Sequence, residues 1–158
     1  MKHIVGLGEI KVSSNRNDIL IAHSLGSCLG VTAYDPVICA GGMAHLMLPS
    51  SSIDKNKARE KPGMFVDSGL KALFDDIYSL GARKDRIILK VAGGSRIIDK
   101  NGFFEIGLKN YSVLSRILSA EKFYIAGKDI GGIKPRKMII EINTGLVVVK
   151  CDGKLIEL

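Results

Sequence analysis

Two residues in the first third of the chain, Cys28 and His45, have the types needed for nucleophilic chemistry. A free thiol is mostly protonated near neutral pH, and an imidazole within reach converts it to the thiolate, the attacking species. The same imidazole can hand the proton on to a departing amine. Leu25-Gly26-Ser27 leads into the cysteine as a glycine-containing turn. This makes Gly26 and Ser27 candidates for holding substrate, and the backbone N–H groups of Ser27 and Cys28 candidates for receiving a developing oxyanion. Chemistry of this kind needs neither a cofactor nor a metal. Two other uses of the same residue types compete with it. Cysteine in an apolar strand is ordinarily inert packing, which is how Cys39 and Cys151 are read, and His23, Cys28 and His45 together are the makings of a metal site.

The elements that must bring the pair together are two strands. Residues 28–34 and 39–48 are nearly uncharged, as strands covered on both faces are, and Asp35-Pro36 separates them. Asp35-Pro36-Val37-Ile38 reads as the bend of a hairpin, because proline fixes φ and suits the second position of a turn. A bend centred between Pro36 and Val37 sets Cys28 directly opposite His45, Gly30 opposite Met43 and Thr32 opposite Gly41. Directly opposed side chains have Cβ atoms about 4.5–5.5 Å apart, and glycines beside the pair would leave room for a substrate. Pro36 cannot take the positive φ of a two-residue type I′ turn, so the register depends on the true loop length. A slip of one residue would put the two side chains on opposite faces.

The remaining elements follow from periodicity. Lys2 to Leu7 and Asp18 to His23 read as strands, and Ser50 to Lys61 as one long polar loop. Met64 to Leu80 carries apolar residues at helical spacing up to Gly81. Arg86 to Ala92 is a β-branched run ending in Gly93-Gly94, and Tyr111 to Lys122 a second helix. Strands resume at residues 123–126, 137–142 and 146–150, followed by an Asp152-Gly153 hairpin turn. This order is that of a mixed α/β or α+β fold, richer in strand than helix, in one domain spanning residues 1–158.

The chain has 158 residues, 46% of them apolar, a composition that excludes disorder. Its formal net charge of +7 favours an acidic partner. The basic residues are dispersed and only 6% of residues are aromatic, and with no zinc-finger or RNA-recognition signature a nucleic-acid partner is not expected. The first residues lack the apolar stretch of a signal peptide and no run is long enough to span a membrane, so the expected compartment is the cytoplasm. Three cysteines there, an odd count without CxxC spacing, do not make a disulfide framework.

The motifs also carry a resemblance. Leu25-Gly26-Ser27-Cys28, then Tyr34-Asp35-Pro36, then Gly42-Met43-Ala44-His45-Leu46-Met47-Leu48-Pro49 resemble the chemoreceptor glutamine deamidase family, CheD. Lys61-Pro62-Gly63, Ala92-Gly93-Gly94, Ile106-Gly107 with Asn110, and Asp129 with Gly131-Gly132 fit the same pattern, so the likeness covers nearly the whole chain. The resemblance implies a three-layer α/β/β sandwich and conversion of selected glutamines on the cytoplasmic helices of chemotaxis receptors to glutamate, with Cys28 as nucleophile and His45 as base. It also implies a regulatory partner, the CheC-type phosphatase. The family's usual threonine six residues before the cysteine is Ala22 here, and Lys109 stands where arginine is common. With Ala22 in place, Ser24 on the same strand, or a backbone carbonyl, becomes the candidate to orient the histidine. The alternatives are a regulatory binding partner of the phosphatase with weak or no catalysis, and a receptor methylesterase.

Overall fold

The computed structural model describes residues 1–96 and 105–158. Among these residues ten strands and three α-helices follow one another as β1 (Lys2–Ile4), β2 (Ile10–Ser13), β3 (Ile19–Leu25), β4 (Leu29–Asp35), β5 (Ala40–Leu46), α1 (Lys55–Glu60), α2 (Val66–Ser79), β6 (Ile88–Gly93), α3 (Ile106–Ala120), β7 (Ile125–Ile130), β8 (Arg136–Glu141), β9 (Val147–Cys151) and β10 (Lys154–Glu157). They form two five-stranded sheets, ordered β1-β3-β8-β9-β10 and β2-β5-β4-β6-β7. The fold is a mixed α/β one with more strand than helix.

Strand β4 is the middle strand of the second sheet, and every residue of β4 and β5 is buried. Alternation along β4 therefore serves two cores. Leu29, Val31 and Ala33 pack against Leu70, Leu73 and Ile77 of α2 and Leu114 and Leu118 of α3. Tyr34, on the other face, joins Leu20, Leu25, Met138 and Ile140 of the first sheet. Helices, second sheet and first sheet are thus three layers, α/β/β. Each fully buried leucine contributes about 1.5–3 kcal/mol through loss of apolar surface from water. Helix α2 ends where its periodicity predicts: the Gly81 N–H bonds to the Tyr78 carbonyl at 2.9 Å, at a φ of +98° that favours glycine.

Four expectations are corrected. The first concerns residues 50–61, which contain a 3-10 turn and α1 rather than a bare loop. Ser50 caps the turn by accepting from the Ser52 N–H at 3.2 Å, and Asp54 caps α1 by accepting from the Lys57 N–H at 3.0 Å. Strand β2 escapes the alternation pattern because all four of its residues are half-buried at the sheet edge. Helix α3 begins at Ile106, five residues before Tyr111, because its buried positions include Gly107 and Asn110, which do not register as apolar.

The fourth correction is the hairpin register. Leu29 pairs with Leu46, Gly30 with His45, Thr32 with Met43 and Asp35 with Ala40. Residues 36–39 form a four-residue loop, in which Cys39 takes a φ of +50° and the buried Asp35 carboxylate accepts from the Val37 N–H at 3.0 Å. The longer loop moves the register by two residues, so parity survives while direct opposition of Cys28 and His45 does not. Nor do the glycines leave room for a substrate. A Cβ on Gly30 would lie 2.7 Å from Leu25 and 2.8 Å from Met138, and one on Gly41 2.8 Å from Ile142. That space is filled by the first sheet.

Candidate functional site

The chain crosses from the first sheet to the second through Gly26, Ser27 and Cys28, between the end of β3 and the start of β4. The turn is held by its carbonyls. Gly26 O accepts from the Ser95 N–H at 2.8 Å and Cys28 O from the Gly94 N–H at 2.9 Å. That approach requires glycines: a Cβ at Gly93 would stand 2.2 Å from the Cys28 carbonyl oxygen, and one at Gly107 2.6 Å from Gly94. Gly93-Gly94 and Ile106-Gly107 therefore bring β6 and α3 against the cysteine turn. Cys28 itself is half-buried and packs against the core between the sheets.

His45 lies on β5 with 2% of its surface exposed. Residues 5–9, between β1 and β2, lie along it: the Gly8 N–H donates to the His45 carbonyl at 2.8 Å and the His45 N–H to the Glu9 carbonyl at 3.0 Å. Its Nδ1 lies 3.1 Å from the Val5 carbonyl oxygen. A carbonyl only accepts, which assigns the ring proton to Nδ1 and leaves the Nε2 lone pair unprotonated. Nε2 is buried and has no hydrogen-bond partner among the described residues.

Because Gly30 pairs with His45, continuing the ladder by one residue on each strand past its last pair, Leu29 with Leu46, makes Cys28 a diagonal neighbour of His45. Diagonal residues on one face of a sheet are about 7–8 Å apart, closer at Cβ, and within reach of an aromatic ring. Burial opposes charge on both groups. It pushes the Cys28 thiol up, partly offset by the residue's own N–H against its sulfur. It pulls the His45 imidazole down, partly offset by the Val5 carbonyl and by the Glu9 charge. At neutral pH the face carries a thiol and a neutral imidazole whose Nε2 is unpartnered among the described residues, with no hydrogen bond between the two groups.

Ser24 does not orient this ring. It is exposed at φ +55°, at the register shift between Ala22 and Leu25 on β3, while Ala22 is fully buried opposite Met138. Among the named candidates it is the backbone carbonyl, that of Val5, which occupies the second ring nitrogen. His23 is exposed, and among the described residues no three His, Cys, Asp or Glu side chains are grouped to hold a metal ion.

One polar residue beside the cysteine turn stood in the sequence only as part of the family pattern, with no role attached. Asn110, on α3, is fully buried, and its Nδ2 donates to the Ser27 carbonyl at 3.0 Å and to the Met47 carbonyl at 2.9 Å. The available signal was an amide on a buried helical stripe with Gly107, Leu114 and Leu118.

A three-layer α/β/β fold thus sets a thiol and an imidazole on one face of its second sheet, the imidazole with one ring nitrogen unpartnered among the described residues. Comparison with known proteins makes the assignment particular. The family described as CheD chemotactic sensory transduction matches residues 47–151. A probable chemoreceptor glutamine deamidase CheD 1 of Syntrophus aciditrophicus is 45% identical over 150 residues, 95% of this chain and 94% of the relative. The probable chemoreceptor glutamine deamidase CheD of Solibacter usitatus is 38% identical, over 98% of this chain and 92% of its own. The chemoreceptor glutamine deamidase CheD of Thermotoga maritima is 33% identical, over 97% and 94%. The chain belongs to the CheD family.

Proposed function

We propose that this protein deamidates glutamine side chains of chemotaxis receptors, with Cys28 as nucleophile and His45 as general base and acid. The observation that carries the reading is the committed tautomer of His45: Nδ1 is held by the Val5 carbonyl, and the open Nε2 belongs to a ring on the face shared with Cys28. The relatives' names, chemoreceptor glutamine deamidase, support the substrate class.

In the first half-reaction Nε2 takes the thiol proton as Sγ forms a bond to the glutamine side-chain carbonyl carbon. The oxygen gains negative charge and is received by the Ser27 and Cys28 N–H groups beside Gly26. The C–N bond then breaks, and ammonia leaves with the proton held on His45. In the second half, His45 takes a proton from water as its oxygen attacks the thioester. The C–S bond then breaks, the glutamate side chain is released, and His45 returns its proton to the departing sulfur, restoring the thiol. These steps use only the chain's own groups and water.

The chain acts in this reading as one cytoplasmic domain whose two cores share the β4–β5 hairpin. Its charge of +7 complements acidic helices on the receptor's cytoplasmic side, and a CheC-type phosphatase regulates it. Among the described residues no helix is long and apolar enough to cross a membrane.

Ammonia release from a receptor cytoplasmic fragment is expected with wild type and at least about 10⁴-fold less with Cys28→Ala. Equal release from both would sink the reading. Mass spectrometry of the treated fragment separates glutamine-to-glutamate conversion from demethylation of a receptor ester.

A further inference from the structure

Asn110 does more than fill the core. Its two N–H bonds reach carbonyls beyond the ends of two strands, at Ser27 before the start of β4 and at Met47 just past the last residue of β5. These are the positions at which the β4–β5 ladder has run out, its last pair being Leu29 with Leu46. Both partners are acceptors, which fixes the orientation of the amide: NH₂ toward the strands and Oδ1 away. Oδ1 is buried without a partner among the described residues, an expense that an apolar side chain of similar volume would avoid.

A trans peptide is planar, with its C=O and following N–H pointing in opposite directions. The Ser27 carbonyl turned toward Asn110 therefore turns the Cys28 N–H the other way. The Gly26 carbonyl, held by the Ser95 N–H at 2.8 Å, does the same for the Ser27 N–H. Neither N–H donates to another residue's backbone among the described residues, and that of Cys28 lies against its own sulfur, on the side where the reaction takes place in this reading.

We propose that Asn110 is a positioning residue that locks the Ser27–Cys28 peptide so that the Cys28 N–H is presented as an oxyanion donor. The proposal rests on the deamidase reading and deepens it. It assigns to a helix far along the chain the pre-orientation of a backbone dipole, which lowers the barrier because no reorganisation is needed as charge develops.

The test compares two reactions of one thiol. Deamidation builds an oxyanion. Alkylation of Cys28 by iodoacetamide, followed by mass spectrometry of the Cys28 peptide in the native protein, builds none. For Asn110→Ala the expected result is a fall in kcat for ammonia release of about 10²–10³-fold, with KM and the alkylation rate within about threefold of wild type. Asn110→Ser, which keeps one donor, should recover part of kcat. An unchanged kcat, or alkylation slowed as much as deamidation, would overturn the proposal. Should neither variant fold by circular dichroism, Asn110 belongs to the fold alone and the proposal is likewise overturned. Failure of the underlying reading shows separately, as ammonia release by wild type no greater than by Cys28→Ala.

Discussion

The two ends of the β4–β5 hairpin are equally buried but treat their polar groups in opposite ways. At the loop end Asp35 is fully buried, and its carboxylate accepts from the Val37 N–H at 3.0 Å, from the Arg83 N–H at 3.0 Å and from Arg86 Nε at 2.9 Å, with Arg86 Nη2 2.8 Å away in an ion pair. Burial alone would push this carboxyl up, but the Arg86 guanidinium and the two backbone N–H groups outweigh it and hold the group below the ordinary carboxylate range. At the open end His45 Nε2 and Asn110 Oδ1 go without partners among the described residues, and burial keeps both the thiol and the imidazole uncharged. A buried charge with every lone pair matched holds a fold together. A buried nitrogen with one lone pair unused adds nothing to the fold, which is why the proposed reading gives it to the chemistry.

Breaking the open end should give the largest effect. His45→Gln is expected to lower kcat/KM for deamidation by about 10²–10⁴-fold while leaving the fold intact, as steady-state assays and circular dichroism would record. The pH dependence sharpens the point. Burial lowers the imidazole pKa, so the wild-type rate should persist below the ordinary value of about 6.5 and fall only as pH drops through the lowered one. Stability has the same sign. The contribution from keeping His45 neutral is fully present above the ordinary imidazole value and is lost as pH falls through the folded one. Denaturant unfolding between pH 7 and 5 would show that loss in wild type and its absence in His45→Gln.

Breaking the loop end should cost stability and spare chemistry. Asp35→Asn strands the Arg86 guanidinium, whose side chain is only 23% exposed, and is expected to lower the unfolding free energy by about 3 kcal/mol. The kcat per folded molecule should not change. A fall in kcat matching that of His45→Gln would show that the two ends are not separate in role. The smallest effect is expected from Ser24→Ala. Ser24 is exposed, and the Val5 carbonyl already occupies His45 Nδ1, so deamidation should change by less than about twofold.

Several of these features were legible in the residues themselves. The uncharged runs either side of Asp35-Pro36 are a doubly covered hairpin, the 3.6-residue spacing up to Gly81 is α2, and the motifs spread along the chain resemble the family to which its relatives belong. Periodicity did not mark β2, whose residues are all half-buried, or the first turn of α3, where glycine and asparagine stand on the buried stripe. Nor did it separate α1 from a loop, because the caps Ser50 and Asp54 sit among residues that are polar throughout.

Sequence alone determined the thiol, the imidazole and the parity that puts them on one sheet face, since a period of two survives any even shift of register. Tertiary structure decided the rest. It set the four-residue loop that makes the pair diagonal, chose the Val5 carbonyl where Ala22 offers no hydroxyl, and turned the Asn110 amide onto the cysteine turn. The physical reason is that backbone carbonyls are the same at every position, so which of them reaches a given ring or amide is set by where distant segments pack rather than by residue type.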